Sequence, residues 1–172
     1  MDKKKLDMNF LLECYRGNTD KVIELLKQWA DINAVDCEGK TGLHSAAKYP
    51  GNVKMMRVLL EHKIDTETKD ECECTALHYA SSCFSIECIS VLLLANANIE
   101  AINVFGNRPI HFAVWDPKSL DILLKKGANK NAKNCNGHTV LDVANHRGDS
   151  LLRESIDLLK NYVWFYTNSI IF

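Results

Sequence analysis

What this chain lacks narrows its function before anything in it is read. Its first residues, MDKKKLDMNF, hold no apolar stretch of the kind a secretory signal needs. No run approaches the roughly 18–20 apolar residues of a membrane-spanning helix. Charge of one sign is lacking too: 21 basic and 22 acidic residues leave a formal net charge of −1. Bulk electrostatics therefore favours neither nucleic acid nor an anionic membrane surface. No phosphate-binding glycine loop of the form G-x-x-x-x-G-K-[ST] occurs. Cys72-x-Cys74 with His78 lacks the second Cys/His pair that a four-ligand zinc site needs. A cysteine–histidine nucleophile would lack a third, orienting group. The seven cysteines are odd in number and irregular in spacing, as free thiols of a reducing compartment are. The expectation is an intracellular chain, in the cytoplasm or nucleus, with no metal, no cofactor and no catalysis of its own.

What is present is repetition. The stretch 36–47, DCEGKTGLHSAA, returns at 70–81 as DECECTALHYAS, at 103–114 as NVFGNRPIHFAV and at 134–145 as NCNGHTVLDVAN. His44 and His78 are 34 residues apart, His78 and His111 are 33 apart, and Asp142 follows His111 by 31. A fixed period in this range marks a repeat array. Each block has internal logic. Asp36, Asp70, Asn103 and Asn134 open it as turn residues do. Gly39, Gly106 and Gly137 follow where a tight turn calls for positive φ. Thr41, Thr75 and Thr139 are placed as helix starts. Leu43, Leu77, Ile110 and Leu141 then supply an apolar residue for the core. A second apolar run follows each block, so each unit reads as turn, short helix, loop, second helix.

In the blocks TGLHSAA and TALHYAS, and more loosely in RPIHFAV and TVLDVAN, the chain resembles the ankyrin repeats, whose pattern is about 33 residues long with a T-P-L-H-x-A signature. The resemblance implies an all-α solenoid of about five helix–turn–helix units within one domain, 1–172. A capping unit (1–35) opens it, followed by units 36–69, 70–102 and 103–133, a closing unit (134–160) and an apolar tail (161–172). The capping unit has no turn block, and its Val22, Leu25, Leu26 and Trp29 form an apolar helical face. Departures from the family pattern are expected to cost stability. Glu73 stands in place of a turn glycine, and Trp29, Lys63 and Asn96 stand where the family favours glycine at the end of the second helix. Asn52 and Asp116 are read as caps, the latter with Pro117 at the first helical position. The tail, NYVWFYTNSIIF, has three open readings: it folds over the last unit, docks to a partner, or is an exposed remnant prone to aggregate.

The resemblance also assigns roles. At the family position, the imidazoles of His44, His78 and His111 hydrogen-bond within and between turns. Contacts fall on the turn tips and on the exposed side of each first helix, which together form an extended concave surface. By register these include Glu71, Cys72 and Cys74 with Tyr49, Tyr79, Phe105, Phe112 and Trp115, an aromatic stripe of the kind that anchors interfaces. The competing reading packs Phe112 and Trp115 under the shortened loop of the fourth unit. Acidic residues (Asp65, Glu67, Asp70, Glu71, Glu73) and basic ones (Lys125, Lys126, Lys130, Lys133) form two clusters, either a steering field or two solvated faces. In its uneven unit lengths and drifted glycines the chain is similar to the ankyrin proteins of poxviruses, and less so to the inhibitor-of-NF-κB-like ankyrins of polydnaviruses. This implies a monomer that sequesters a host signalling or transcription-factor protein and binds no nucleic acid and no membrane. The alternative is an assembly element that self-associates through its tail.

Overall fold

The computed structural model describes residues 2–146 and 152–167. Each switch in the sequence from polar turn to apolar run becomes a helix start. In chain order the helices are α1 (Lys3–Arg16), α2 (Thr19–Lys27), α3 (Gly42–Lys48), α4 (Val53–Glu61), α5 (Ala76–Ser82), α6 (Ile86–Leu94), α7 (Pro109–Ala113), α8 (Pro117–Lys125), α9 (Val140–His146) and α10 (Arg153–Thr167). No strand occurs among the described residues. The odd-numbered helices form one layer, α1 against α3, α3 against α5, α5 against α7 and α7 against α9. The even-numbered helices form a second layer, from α2 against α4 through to α8 against α10. This is an all-α solenoid of paired helices.

The core lies between and along these layers. Phe10, Leu43, Leu77 and Ile110 fill it from the first layer, and Met55, Leu59, Ile89, Leu92, Leu120 and Leu123 from the second. The three- and four-residue steps within each second helix keep these side chains on one face. Two residues differ from the sequence reading. Leu141 is only half-buried, and Val140 takes the fully buried place beside it. Trp29 is not part of the α2 face: the helix ends at Lys27, and Trp29 sits beyond it at φ 68°, 85% exposed. Val22 and Leu25 carry that face.

The four turns repeat one hydrogen-bond pattern. The side-chain oxygen of the first residue accepts from backbone N–H groups two and four residues on. Asp36 accepts from Glu38 and Lys40, Asp70 from Cys72 and Cys74, Asn103 from Phe105 and Asn107, and Asn134 from Asn136 and His138. Neighbouring turns then join through their backbones: Glu71 N–H donates to Glu38 O, Val104 to Cys72 O and Cys135 to Phe105 O, at 2.9–3.0 Å. The turn survives the loss of its glycine, since Glu73 adopts φ 56° beside the 72–76° of Gly39, Gly106 and Gly137. Trp29, Lys63 and Asn96 likewise hold the left-handed conformation of Gly127. The conformation costs roughly 1–2 kcal/mol at Trp29, Lys63 and Glu73 and less at Asn96, since asparagine tolerates it. Asp116 caps α8 by accepting from Ser119 N–H at 2.8 Å, whereas the Asn52 side chain makes no cap bond to α4.

The signature histidines tie units together. His44 Nδ1 accepts from the N–H of Thr41 at 3.0 Å, which makes Nε2 the protonated nitrogen, and Nε2 donates to Cys74 O at 3.0 Å. His78 does the same between Thr75 N–H and Asn107 O, and His111 between Arg108 N–H and Ala132 O. Asp142 replaces the imidazole in the last unit by accepting from both the N–H and the hydroxyl of Thr139. A second ladder runs along the loops that follow the second helices. Asp65 N–H donates to the Asn33 side chain, Asn98 to Glu67 and Asn129 to Glu100; at the first unit Asp31 N–H donates to Asp7 of α1.

Two expectations follow from this packing. Burial, opposed by the bond to Asn107 O, lowers the pKa of His78 from 6.5 to about 4, and burial also lowers those of His44 and His111. Between those values the unfolded chain binds the proton and the folded one does not, so stability falls as pH drops from 6.5 towards 4. His78 alone accounts for roughly 3 kcal/mol of that loss. Urea midpoints measured across this range will show it, and His78→Asn will flatten the profile; an unchanged slope in that variant would place the titration elsewhere. Separately, a Cβ on Gly42 would meet Cys14 Sγ at 2.6 Å. Gly42→Ala is therefore expected to destabilise by roughly 1–3 kcal/mol, and Cys14→Ala to restore much of that loss in a double-mutant cycle.

Candidate protein-binding surface

The turn tips and the exposed side of the first helix layer bring together most of the residues singled out in the sequence. Cys72, Cys74, Tyr79, Phe105 and Phe112 line one hollow of about 320 Å³ with His78, Ser82, Asn103 and Asn107. Phe112 and Trp115 line a second hollow of about 320 Å³ with Asn107, His111, Asn134, Asn136, His138 and Val143. Phe112 and Asn107 belong to both, so they form the partition between the two. Two residues stand apart. Tyr49 lines neither hollow and pairs edge-to-face with Tyr15 at 6.1 Å. Glu71 is exposed on the tip, with its backbone N–H taken by Glu38 O.

The aromatic stripe is not uniformly exposed. Phe105 is 61% exposed and Trp115 37%, but Tyr79 and Phe112 are half-buried. Each of these two follows a signature histidine in sequence and packs on the histidine of the preceding unit. Tyr79 meets the His44 ring at 5.6 Å and Phe112 meets the His78 ring at 5.8 Å, both edge-to-face. Such pairs contribute roughly 0.5–1.5 kcal/mol beyond area burial. Phe112 thus packs on a neighbouring imidazole, which neither the fully exposed reading nor the loop-packed one anticipates. The Tyr79 hydroxyl donates to Asp70 Oδ2 at 2.7 Å, and the Lys40 ammonium lies 5.8 Å from the ring centre. Burial and the bond to Asp70 raise the Tyr79 pKa far above the ordinary phenol value, so it remains a donor.

The walls are held in place. Asn103 Oδ1 accepts two backbone bonds, which leaves Nδ2 to donate to Cys74 Sγ at 3.4 Å. Asn134 is fixed in the same way, so its Nδ2 donates to Asn107 Oδ1 at 3.0 Å. Burial raises the Cys74 pKa, which keeps that thiol protonated. Both ring nitrogens of His78 are engaged. Among the described residues, no group of three or more His, Cys, Asp and Glu is arranged to hold a metal ion. The surface offers apolar walls, amides and a neutral thiol, a chemistry that suits binding. Asn107, a turn tip by register in the sequence, lines both hollows: it closes the turn opened by Asn103, the position that Cys74 holds one unit earlier.

Of the tail, residues up to Thr167 continue α10, and Tyr162 packs against the core. The readings of 161–172 depend on side chains and residues beyond Tyr162, which lie outside those described. No described helix is long and apolar enough to cross a membrane.

The model of ankyrin repeats (three copies) matches residues 10–103 and 68–134. Similar curated proteins include the transient receptor potential channel pyrexia of Drosophila melanogaster, 36% identical over 148 residues, which span 83% of this chain and 15% of that protein. A putative palmitoyltransferase, ZDHHC13 of Danio rerio, is 31% identical over 149 residues, 84% of this chain and 23% of that one. Inversin of Homo sapiens is 30% identical over 131 residues, 73% and 12% of the two chains. This chain thus spans less than a quarter of the length of each. Period, turn ladder, histidine bonds and the matched model agree: the chain belongs to the ankyrin-repeat family.

Proposed function

We propose that this chain is a non-catalytic protein-binding array that holds its partner on the face made by the turn tips and the first helices of the third to fifth units. One observation carries the reading: Phe105, Phe112, Trp115 and Tyr79 surround two adjoining hollows whose walls are already fixed by hydrogen bonds. Exposed aromatics over a rigid support are the usual composition of an interface anchor. The similar proteins support it in another way. A channel, a putative palmitoyltransferase and inversin share this segment, while their names describe unlike proteins. A module common to such proteins is one that recognises other proteins.

The partner is proposed to be a signalling or transcription-factor protein, and the chain a viral one that occupies it as a monomer in the host cytoplasm or nucleus. The support is the irregularity of the array: units of unequal length, and non-glycine residues held in left-handed conformations at Trp29, Lys63 and Asn96. The proteins named above are animal ones.

The test is capture of partners from cell lysate with the wild-type chain and with a Phe105→Ala/Trp115→Ala double variant. Tyr79 is left intact because its hydroxyl anchors Asp70. The variant should keep its helical content and lose at least tenfold in affinity for the captured protein, the loss expected when an interface anchor is truncated. Equal recovery of the same protein by both would overturn this face as the binding site.

A further inference from the structure

The two hollows differ in chemistry, and that difference describes what fits them. Neither is lined by a carboxylate, a lysine or an arginine. Asp70 and Lys40 lie close by, but Asp70 is almost wholly buried with its oxygens used by Tyr79 and the turn backbone, and the Lys40 ammonium is paired with Glu38. The hollow between the third and fourth units is walled by two thiols and three aromatic rings. Its volume, about 320 Å³, is at the low end of the ~300–1,000 Å³ of small-molecule pockets. That suits one inserted side chain better than a cofactor. A charged side chain placed there would be desolvated without a partner, at a large cost. The hollow between the fourth and fifth units is more polar: Asn107, Asn134 and Asn136 line it beside Phe112, Trp115 and Val143.

Asn107 joins the two. Because Asn134 Oδ1 accepts two backbone N–H bonds, the Asn134 atom facing Asn107 is a donor, and the Asn107 atom facing it is therefore Oδ1. This turns the Asn107 NH2 group away from Asn134, on a half-buried residue that lines both hollows. An amide donor between an apolar pit and a mixed one matches a peptide: a side chain enters the apolar pit and the next backbone carbonyl meets the donor. The walls are ordered beforehand, so little freedom is lost on binding.

Resting on the binding face proposed above, we infer that the occupant is an unstructured, uncharged peptide segment of the partner protein, with one aromatic or long aliphatic side chain inserted between the third and fourth units and a backbone carbonyl accepting from Asn107 Nδ2.

A phage-displayed library of random linear peptides, selected against the full chain, tests this directly. Selected sequences should share an apolar anchor flanked by uncharged residues. A synthetic peptide of that sequence should bind about tenfold more weakly to Asn107→Asp and to Phe105→Ala. Asn107→Asp still accepts from Asn134 and keeps its backbone bonds, so a retained thermal melt is expected to accompany the loss. Enrichment of charged peptides, unchanged affinity in Asn107→Asp, or failure to select any binder would each overturn the uncharged-peptide occupant. Those results leave the broader reading standing if the lysate partner still depends on Phe105 and Trp115; loss of that dependence removes the binding face itself.

Discussion

Stacking helix pairs buries polar groups where each turn meets its first helix: Thr41, His44, Thr75, His78, Asn103 and His111 are almost wholly excluded from solvent. The fold depends on how those polar groups are paired, because a buried unpaired N–H or C=O costs about 1–3 kcal/mol. Side chains do this work in a fixed division. The opening Asp or Asn holds its own turn closed, and the histidine accepts from its own helix start and donates to a carbonyl further along the chain. Each unit is thus incomplete until its neighbour is present, which makes the array cooperative. The same requirement keeps the imidazoles neutral. Protonating Nδ1 would set it against the N–H that donates to it.

The first unit holds its loop differently from the others. Elsewhere, the loop after each second helix is held by a side chain of the preceding unit: Asn33 for Asp65, Glu67 for Asn98, Glu100 for Asn129. For Asp31 the acceptor comes from the same unit, Asp7 of α1 at 2.7 Å. The α1 helix runs for 14 residues where α3 and α5 run for seven, which places Asp7 within reach. Lys3, one turn earlier, donates to Trp29 O and pairs with Asp7. Lys3 is accordingly tied to the loop that follows α2.

Much of this was legible because it is local. The threonine–histidine register, the turn openers and the left-handed positions are all set within a few residues, so the period alone locates them. The loop ladder was legible too, as D-I-N, D-T-E, N-I-E and N-K-N at 31, 65, 98 and 129, but it is three residues long against the twelve of the turn block at 36–47 and easily passed over. Tyr79 and Phe112 were not legible. Their burial is set by a histidine some 34 residues earlier, at 44 and 78, and a register of identical slots does not say which slots hold large residues on both sides. Trp29 misled for the opposite reason: it continues the three-and-four spacing of α2, yet the helix has already ended.

The irregular fourth unit connects the fold to the face it presents. Its first helix, α7, spans five residues where α3, α5 and α9 span seven. Arg108 stands in place of the capping threonine and pairs with Glu100 at 2.8 Å. His111 donates to Ala132 O, 21 residues on, where His44 and His78 reach 30 and 29 residues. The unit therefore stays tied to its surroundings while its first helix stops early. A shorter helix covers less of its neighbours, and both hollows lie against α7, one on each side. Trp115 emerges two residues past the end of that helix, 37% exposed. Where the ladder is strong enough to absorb the loss of two helical residues, the space released is open to a ligand side chain, and the departure from the repeat is where recognition is expected to reside.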